Sequence, residues 1–204
     1  YFERWDYLAL AASCDSKRQI HDGIRNISQL ARLVKKDAHP MKKSNSLASL
    51  INYDLGSQLR SDGNDNLYEV SKEMLKHHRN VASSLAITLL HNALASALGM
   101  GKYFSVVRER EYYAPYFKNK DCEYSIFLHN SENQGKPFSF RSSEVISTPE
   151  AIAQLAEKKA CTLSGKKKMH FDHFASKLKD LIEGKIPPVV SLHHGDKRKI
   201  YKGP

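Results

Sequence analysis

The sequence predicts a predominantly helical α+β protein, a helical bundle followed by a mixed part with short strands. Three observations carry this. Ile20, Ile24, Ile27, Ala31 and Val34 recur at steps of four and three, which draws one apolar stripe along a helix. The segment VASSLAITLLHNALASALGMG, 81–101, is almost free of charge and apolar on most sides, as a buried central helix should be. After Gly101 the texture changes to short runs rich in aromatic and β-branched residues, which favour strands.

The elements follow in order. Lys17, Arg18, Arg25, Arg32, Lys35 and Lys36 lie off the first stripe or at its ends, as solvent-facing residues do. Residues 37–46, DAHPMKKSNS, break the pattern with Pro40 and a polar run. Leu47, Leu50, Ile51 and Leu55 begin a second helix, expected to end near Gly56. SDGNDN, 61–66, is expected to form a turn, and Leu67, Val70, Met74 and Leu75 start a further helix. The central helix follows, capped by Gly99 or Gly101. Strands are expected at 102–110, 124–129 and 137–141, with a Pro115-containing loop, YYAPYFKNKDCE, between the first two. Domain 1–101 is read as an assembly or partner-binding unit, and 102–204 as the mixed part.

Composition narrows the classes. The chain has 204 residues, 41% hydrophobic and 26% charged, a balance typical of soluble globular proteins. No run of about 18 uncharged apolar residues occurs, so no membrane span is expected. The start, YFERWDYLALAASCDSKR, has no basic region ahead of its apolar run, and Glu3 and Asp6 interrupt it, so no signal peptide is expected. Three widely spaced cysteines, Cys14, Cys122 and Cys161, argue against a disulfide framework and for a reducing compartment, cytoplasmic or nuclear/nucleoid. There is no Cys-x-x-Cys pair, Gly-rich phosphate loop or Gly-x-Ser-x-Gly, and no cofactor is expected.

The formal net charge is +10 and is concentrated at one end. Residues 158–204 hold twelve Lys or Arg against four Asp or Glu, a net of +8, whereas the rest of the chain is close to balanced. A local excess of this size attracts polyanions.

In that C-terminal region, Thr148, Pro149 and Glu150 read as an N-cap, a helix-starting proline and a first-turn acid. Ile152, Leu155, Ala156 and Ala160 give the apolar face of a helix at 149–160. A connector, CTLSGKKKM at 161–169, leads to a helix at 170–183 with Phe171, Phe174, Leu178, Leu181 and Ile182 as its buried stripe and Gly184 as its stop. Val189–Leu192 and Lys199–Lys202 read as the arms of a final hairpin.

This order of strand, helix, helix, strand, basic loop and strand resembles a winged helix-turn-helix domain, over 136–204. ISTPEAIAQLAEKKA resembles its first helix, FASKLKDLIEGKI its recognition helix, and VVSLHHGDKRKIYKG its wing. The resemblance implies nucleic-acid binding, DNA preferred and RNA second, with the second helix in the major groove and the wing along the backbone. It places Lys166, Lys167 and Lys168 on phosphates, His170, Asp172, His173 and Lys177 at base edges or sugars, and Lys197, Arg198 and Lys199 in the wing. The alternative that stays open is a docking block for a protein partner in a larger complex, or a homo-oligomer assembled through the helical domain.

Other constellations point to different chemistry. His170 and His173, spaced i, i+3, are compatible with one metal ion, but no metal site is expected. The spacing of Arg32 and His39 in RLVKKDAH resembles the Arg–His motif of the HEPN ribonucleases, which would imply metal-independent RNA cleavage with these two as catalytic residues. LLHNALA resembles the His-Asp step of the HD phosphohydrolases, with Asn92 in place of the metal-binding Asp, so His91 is expected to be a hydrogen-bonded core residue. Tyr112, Tyr113, Tyr116 and Phe117 near Arg108, Arg110 and Lys118 suit either base stacking or core packing.

Overall fold

A computed structural model describes residues 5–34, 39–55, 57–77, 80–110, 112–126 and 144–185. The expected strand at 137–141 and the whole final hairpin, with Lys197, Arg198 and Lys199, lie outside the described residues. Within them the protein is a predominantly helical α+β fold. Its helices are α1 (Trp5–Ser13), α2 (Lys17–Leu33), α3 (Pro40–Ser49), α4 (Leu67–His77), α5 (Ser84–Ala97), α6 (Thr148–Cys161) and α7 (Gly165–Ile182). Its strands are β1 (Ser57–Asn64), β2 (Asn80–Ala82), β3 (Phe104–Glu109), β4 (Tyr112–Lys118), β5 (Glu123–Ser125) and β6 (Glu144–Ile146).

The uncharged segment becomes α5, and every residue from Ser84 to Ala95 is buried. Helices α1, α2, α3, α4 and α6 and strands β3 and β4 pack around it. Buried side chains from before and after residue 101, from Ala9 to Leu178, form one core. Ser83 caps α5, its hydroxyl accepting the Ala86 N–H at 3.1 Å and donating to the Asp65 carboxylate. At the other end Gly99 N–H reaches the Ser96 carbonyl and Met100 N–H the Ala95 carbonyl, a Schellman stop that uses the expected glycine. The stripe on α2 is also found. Ile27 and Val34 are buried, and Ile20, Ile24 and Ala31 pack partly against the core.

Several expectations are corrected. The first hundred residues are not all helical. SDGNDN is not a free turn: residues 61–64 complete β1, which runs parallel to β2. The chain passes so close there that a Cβ on Gly63 would stand 2.2 Å from the Ala82 carbonyl carbon. The helix expected from residue 81 therefore starts at Ser84, after β2. Pro40 does not extend a break but opens α3, where a proline's missing N–H costs nothing. A π-helical turn at Leu50–Asp54 follows α3.

Of the segment read as a loop, 112–123, residues 112–118 are the strand β4 of an antiparallel sheet ordered β5-β4-β3-β6. Pro115 is tolerated because of its register. Its carbonyl accepts the Ile126 N–H at 2.8 Å just past the end of β5, so the missing proline N–H falls where that ladder ends. The aromatic cluster is divided by the strand's alternation. Phe117 is fully buried in the core, whereas Tyr116, its neighbour in β4, points to the opposite face. Tyr113 donates its hydroxyl to the Gln154 side chain at 2.9 Å. The strand expected at 124–129 is described only as β5, Glu123–Ser125.

The cap of α6 is Ser147 rather than Thr148. Ser147 Oγ accepts the Glu150 N–H at 3.3 Å. Thr148 is buried, donates to the Phe104 carbonyl at 3.2 Å, and accepts from Asn92 Nδ2 at 3.0 Å. Asn92 Nδ2 also donates to the Ser105 carbonyl, at 3.1 Å. This one amide therefore ties α5 to β3 and to the start of α6. His91 is the expected core residue, fully buried, with Nδ1 3.3 Å from Asn92 Oδ1 and its ring edge-on to Phe104.

Ser147→Ala should cost about 1 kcal/mol, the usual value of an N-cap. Thr148→Val should cost more, about 1–3 kcal/mol, because it strands the buried Phe104 carbonyl. Urea denaturation of both variants checks the order. Acid should act through His91, whose pKa burial lowers from 6.5 to about 4. The unfolded chain then binds this proton at a higher pH than the folded chain does. Stability is complete above the unfolded pKa and falls as pH drops from 6.5 toward 4, by roughly 3 kcal/mol in all. Urea midpoints across that window should fall less steeply for His91→Gln; equal slopes would remove His91 as the source.

Candidate nucleic-acid interface

The candidate interface is built on α6 and α7. One side of α6 is apolar: Ala151, Ile152, Leu155, Ala156 and Ala160 are buried. Helix α7 lies against it with Phe171, Ala175 and Leu178 buried and Phe174 partly so. Ile182, expected in the same stripe, is instead 41% exposed, as the last residue of α7. Gly184 ends the helix as expected, with φ +70°.

The connector is the main correction. α7 begins at Gly165, not near 170, so only Thr162, Leu163 and Ser164 separate the two helices. A three-residue link is the length of a helix-turn-helix connection. The turn is tied down by its own hydrogen bonds. Thr162 N–H and Leu163 N–H donate to the Lys159 and Ala160 carbonyls, and the Thr162 hydroxyl donates to the Lys159 carbonyl at 2.8 Å. Gly165 then takes φ +58°, a left-handed value that other residues enter at a cost.

The earlier start puts Lys166, Lys167 and Lys168 inside the helix, in its first turn. No acidic residue accompanies them there, and the Ser164 side chain makes no cap hydrogen bond. Positive side chains at the positive end of a helix dipole are unfavourable, by about 0.3–1 kcal/mol each. Lys166, His170, His173 and Lys177 recur at steps of four, three and four, so they share one face, and all four are exposed. Lys167 is exposed beside them. Met169, which sequence reasoning passes over, is 70% exposed next to this stripe. Only its place on the helix, one residue from His170, marks it out.

Ion pairing sorts the lysines of this region. Lys158 pairs with Asp65 at 2.6 Å and Lys159 with Asp15 at 2.9 Å. Lys168 pairs with Asp172 at 2.7 Å, Lys179 with Glu157, and Lys185 with Glu183. Lys166, Lys167 and Lys177 have no ion-pair partner among the described residues. Among the described residues from 158 to 185, the lysines thus divide into five engaged within the fold and three exposed on α7, of which Lys166 and Lys177 share one face.

The other candidates separate from this face. Arg32 lies exposed in the last turn of α2, and His39 is the N-cap residue of α3. Among the described residues no three His, Cys, Asp or Glu side chains gather as a metal ligand set. No helix there is long and apolar enough to cross a membrane. Cys14 is buried and its thiol pKa is pushed up to about 11 by desolvation, far from a reactive thiolate.

Gly165→Ala should meet no steric clash, since nothing stands within 4 Å of the added Cβ, yet should destabilise by about 1 kcal/mol through backbone conformation alone. Urea denaturation measures it. The chain matches no family model, no curated protein and no solved structure.

Proposed function

We propose that this protein binds nucleic acid without catalysis, duplex DNA in preference to single strands or RNA. In this proposal the exposed face of α7 contacts the polymer and α6 is the platform behind it. The observation that carries the reading is the set Lys166, Lys167 and Lys177, unpaired among the described residues, with Lys166 and Lys177 on one face of the second helix of a helix–short turn–helix unit and Lys167 beside that face. Two of them stand at the positive end of the helix dipole, where a phosphate would gain from both the lysines and the free N–H groups. The three-residue connection supports the likeness to a winged helix-turn-helix domain, in which such a helix enters the major groove. Lys197, Arg198 and Lys199 would add wing contacts in this reading. The free thiols are in keeping with a reducing compartment.

Met169 favours a second reading, a protein-docking surface, because a large exposed apolar side chain beside charged ones is a common feature of interfaces. Fluorescence-anisotropy titrations of labelled duplex DNA, single-stranded DNA and RNA distinguish the two. Wild type should bind the duplex tightest, with an affinity that falls steeply as salt rises. Lys166→Glu/Lys167→Glu/Lys177→Glu should flatten the log–log salt dependence by about 0.9 for each phosphate that is no longer neutralised. Lys76→Glu/Lys102→Glu/Lys120→Glu makes the same change in net charge at exposed sites on other elements and should leave most of the binding intact. A wild-type chain that binds none of the three polymers overturns the proposal and leaves the docking reading for this face.

A further inference from the structure

The nucleic-acid stripe on α7 contains two histidines, and this gives it a property that lysines alone would not. We infer that the face takes up protons as it binds: His170 and His173, set between Lys166 and Lys177, become phosphate contacts when protonated, so that affinity for nucleic acid is governed by pH. The inference rests on the proposed nucleic-acid reading.

At steps of four, three and four, Lys166, His170, His173 and Lys177 make one row about three helical turns long, and each member is exposed. A ligand that touches both lysines must pass over both imidazoles. The His170 ring is set edge-on against Phe171, centroids 5.5 Å apart, and Phe171 is itself buried against the core. That contact limits where the His170 ring can go.

Lys166, Lys167 and Lys177 lie on the same helix as the two imidazoles. The carboxylates on α7 are Asp172, which pairs with Lys168, and Asp180. On α6, against which α7 packs, the titratable groups are Glu150, Glu157, Lys158, Lys159 and Cys161. Glu157 is engaged by Lys179, Lys158 by Asp65 and Lys159 by Asp15. On α1 they are Asp6 and Tyr7. A phosphate laid on the row would favour the imidazolium. Histidine is the side chain whose charge change ordinarily falls within the physiological range, so it suits an exchange of this kind. By linkage, a ligand that raises a group's pKa binds more tightly as pH falls.

Counterion release sets the size of the effect. A salt slope of about 0.9 per neutralised phosphate means that one more such phosphate is worth about 8-fold in affinity at about 0.1 M salt.

The test uses the full chain, a labelled duplex, and anisotropy titrations at about pH 5.5 and about pH 8, each at several salt concentrations. Circular dichroism at both pH values checks the fold. Wild type should bind about 8-fold tighter or more at the lower pH, with a salt slope steeper by about 0.9 to 1.8. His170→Gln/His173→Gln should bind at about pH 8 much as wild type does and lose most of the gain on acidification. The other histidines remain in this variant, so the difference belongs to the stripe. Duplex binding by wild type that is the same at both pH values, or a gain that the double variant retains in full, overturns the inference and leaves the nucleic-acid reading standing. No duplex binding at either pH overturns the reading itself, and the inference with it.

Discussion

Burial of α5 on every side is the constraint on which the rest of this fold depends. A helix without a polar face has no way to lie on a surface, so other elements must cover it completely. Helices α1, α2, α3, α4 and α6 and the first strands of the antiparallel sheet do so. Full burial imposes a second demand, because polar groups carried inside need partners there. Asn92 meets it by donating to both the Ser105 carbonyl and Thr148. These bonds are directional, unlike the apolar packing around them. They fix where β3 and the first residue of α6 stand relative to α5. His91 is the costly neighbour of this arrangement, since it must stay neutral to remain inside.

The candidate interface inherits its position from that node. Thr148 anchors the start of α6, and the far end of α6 is held by Lys158 on Asp65 and Lys159 on Asp15. Neither surface ion pair contributes much stability alone. Their effect is geometric: both reach across from α6 to residues early in the chain. α7 then rests on a platform already attached at both ends. Because the platform is ordered beforehand, a ligand on α7 would not have to order it, and that cost is removed from binding.

How much of this is legible in the sequence depends on which physical signal each segment carries. α5, α6 and the core of α7 are legible because burial leaves a period in the sequence, and because glycines such as Gly99 and Gly184 mark stops that backbone conformation requires. The same principle explains the failures. β4 is hidden by Pro115, which argues against a strand unless its register with β5 is known, and register is a tertiary fact. SDGNDN has turn composition, and only its pairing with β2 makes a strand of it. The first turn of α7, GKKKMH, has no apolar period to reveal it, so periodicity starts the helix several residues late. Charge is legible as a sum but not as a distribution, since ion pairs such as Lys159 with Asp15 join residues far apart in the chain.

That last correction changes what the basic C-terminal region means. A net positive charge by itself attracts any polyanion weakly and in any orientation. Among the described residues, pairing five lysines with carboxylates leaves Lys166 and Lys177 in a short row with a direction and Lys167 beside it, fixed to a helix that is packed against the core. Directional charge on a rigid element can select a ligand with regularly spaced phosphates over one without them. The unfavourable placement of lysines in the first turn of α7 belongs to the same picture. Folding alone would favour acids there, so the sequence departs from the local optimum where the proposed ligand supplies the missing negative charge.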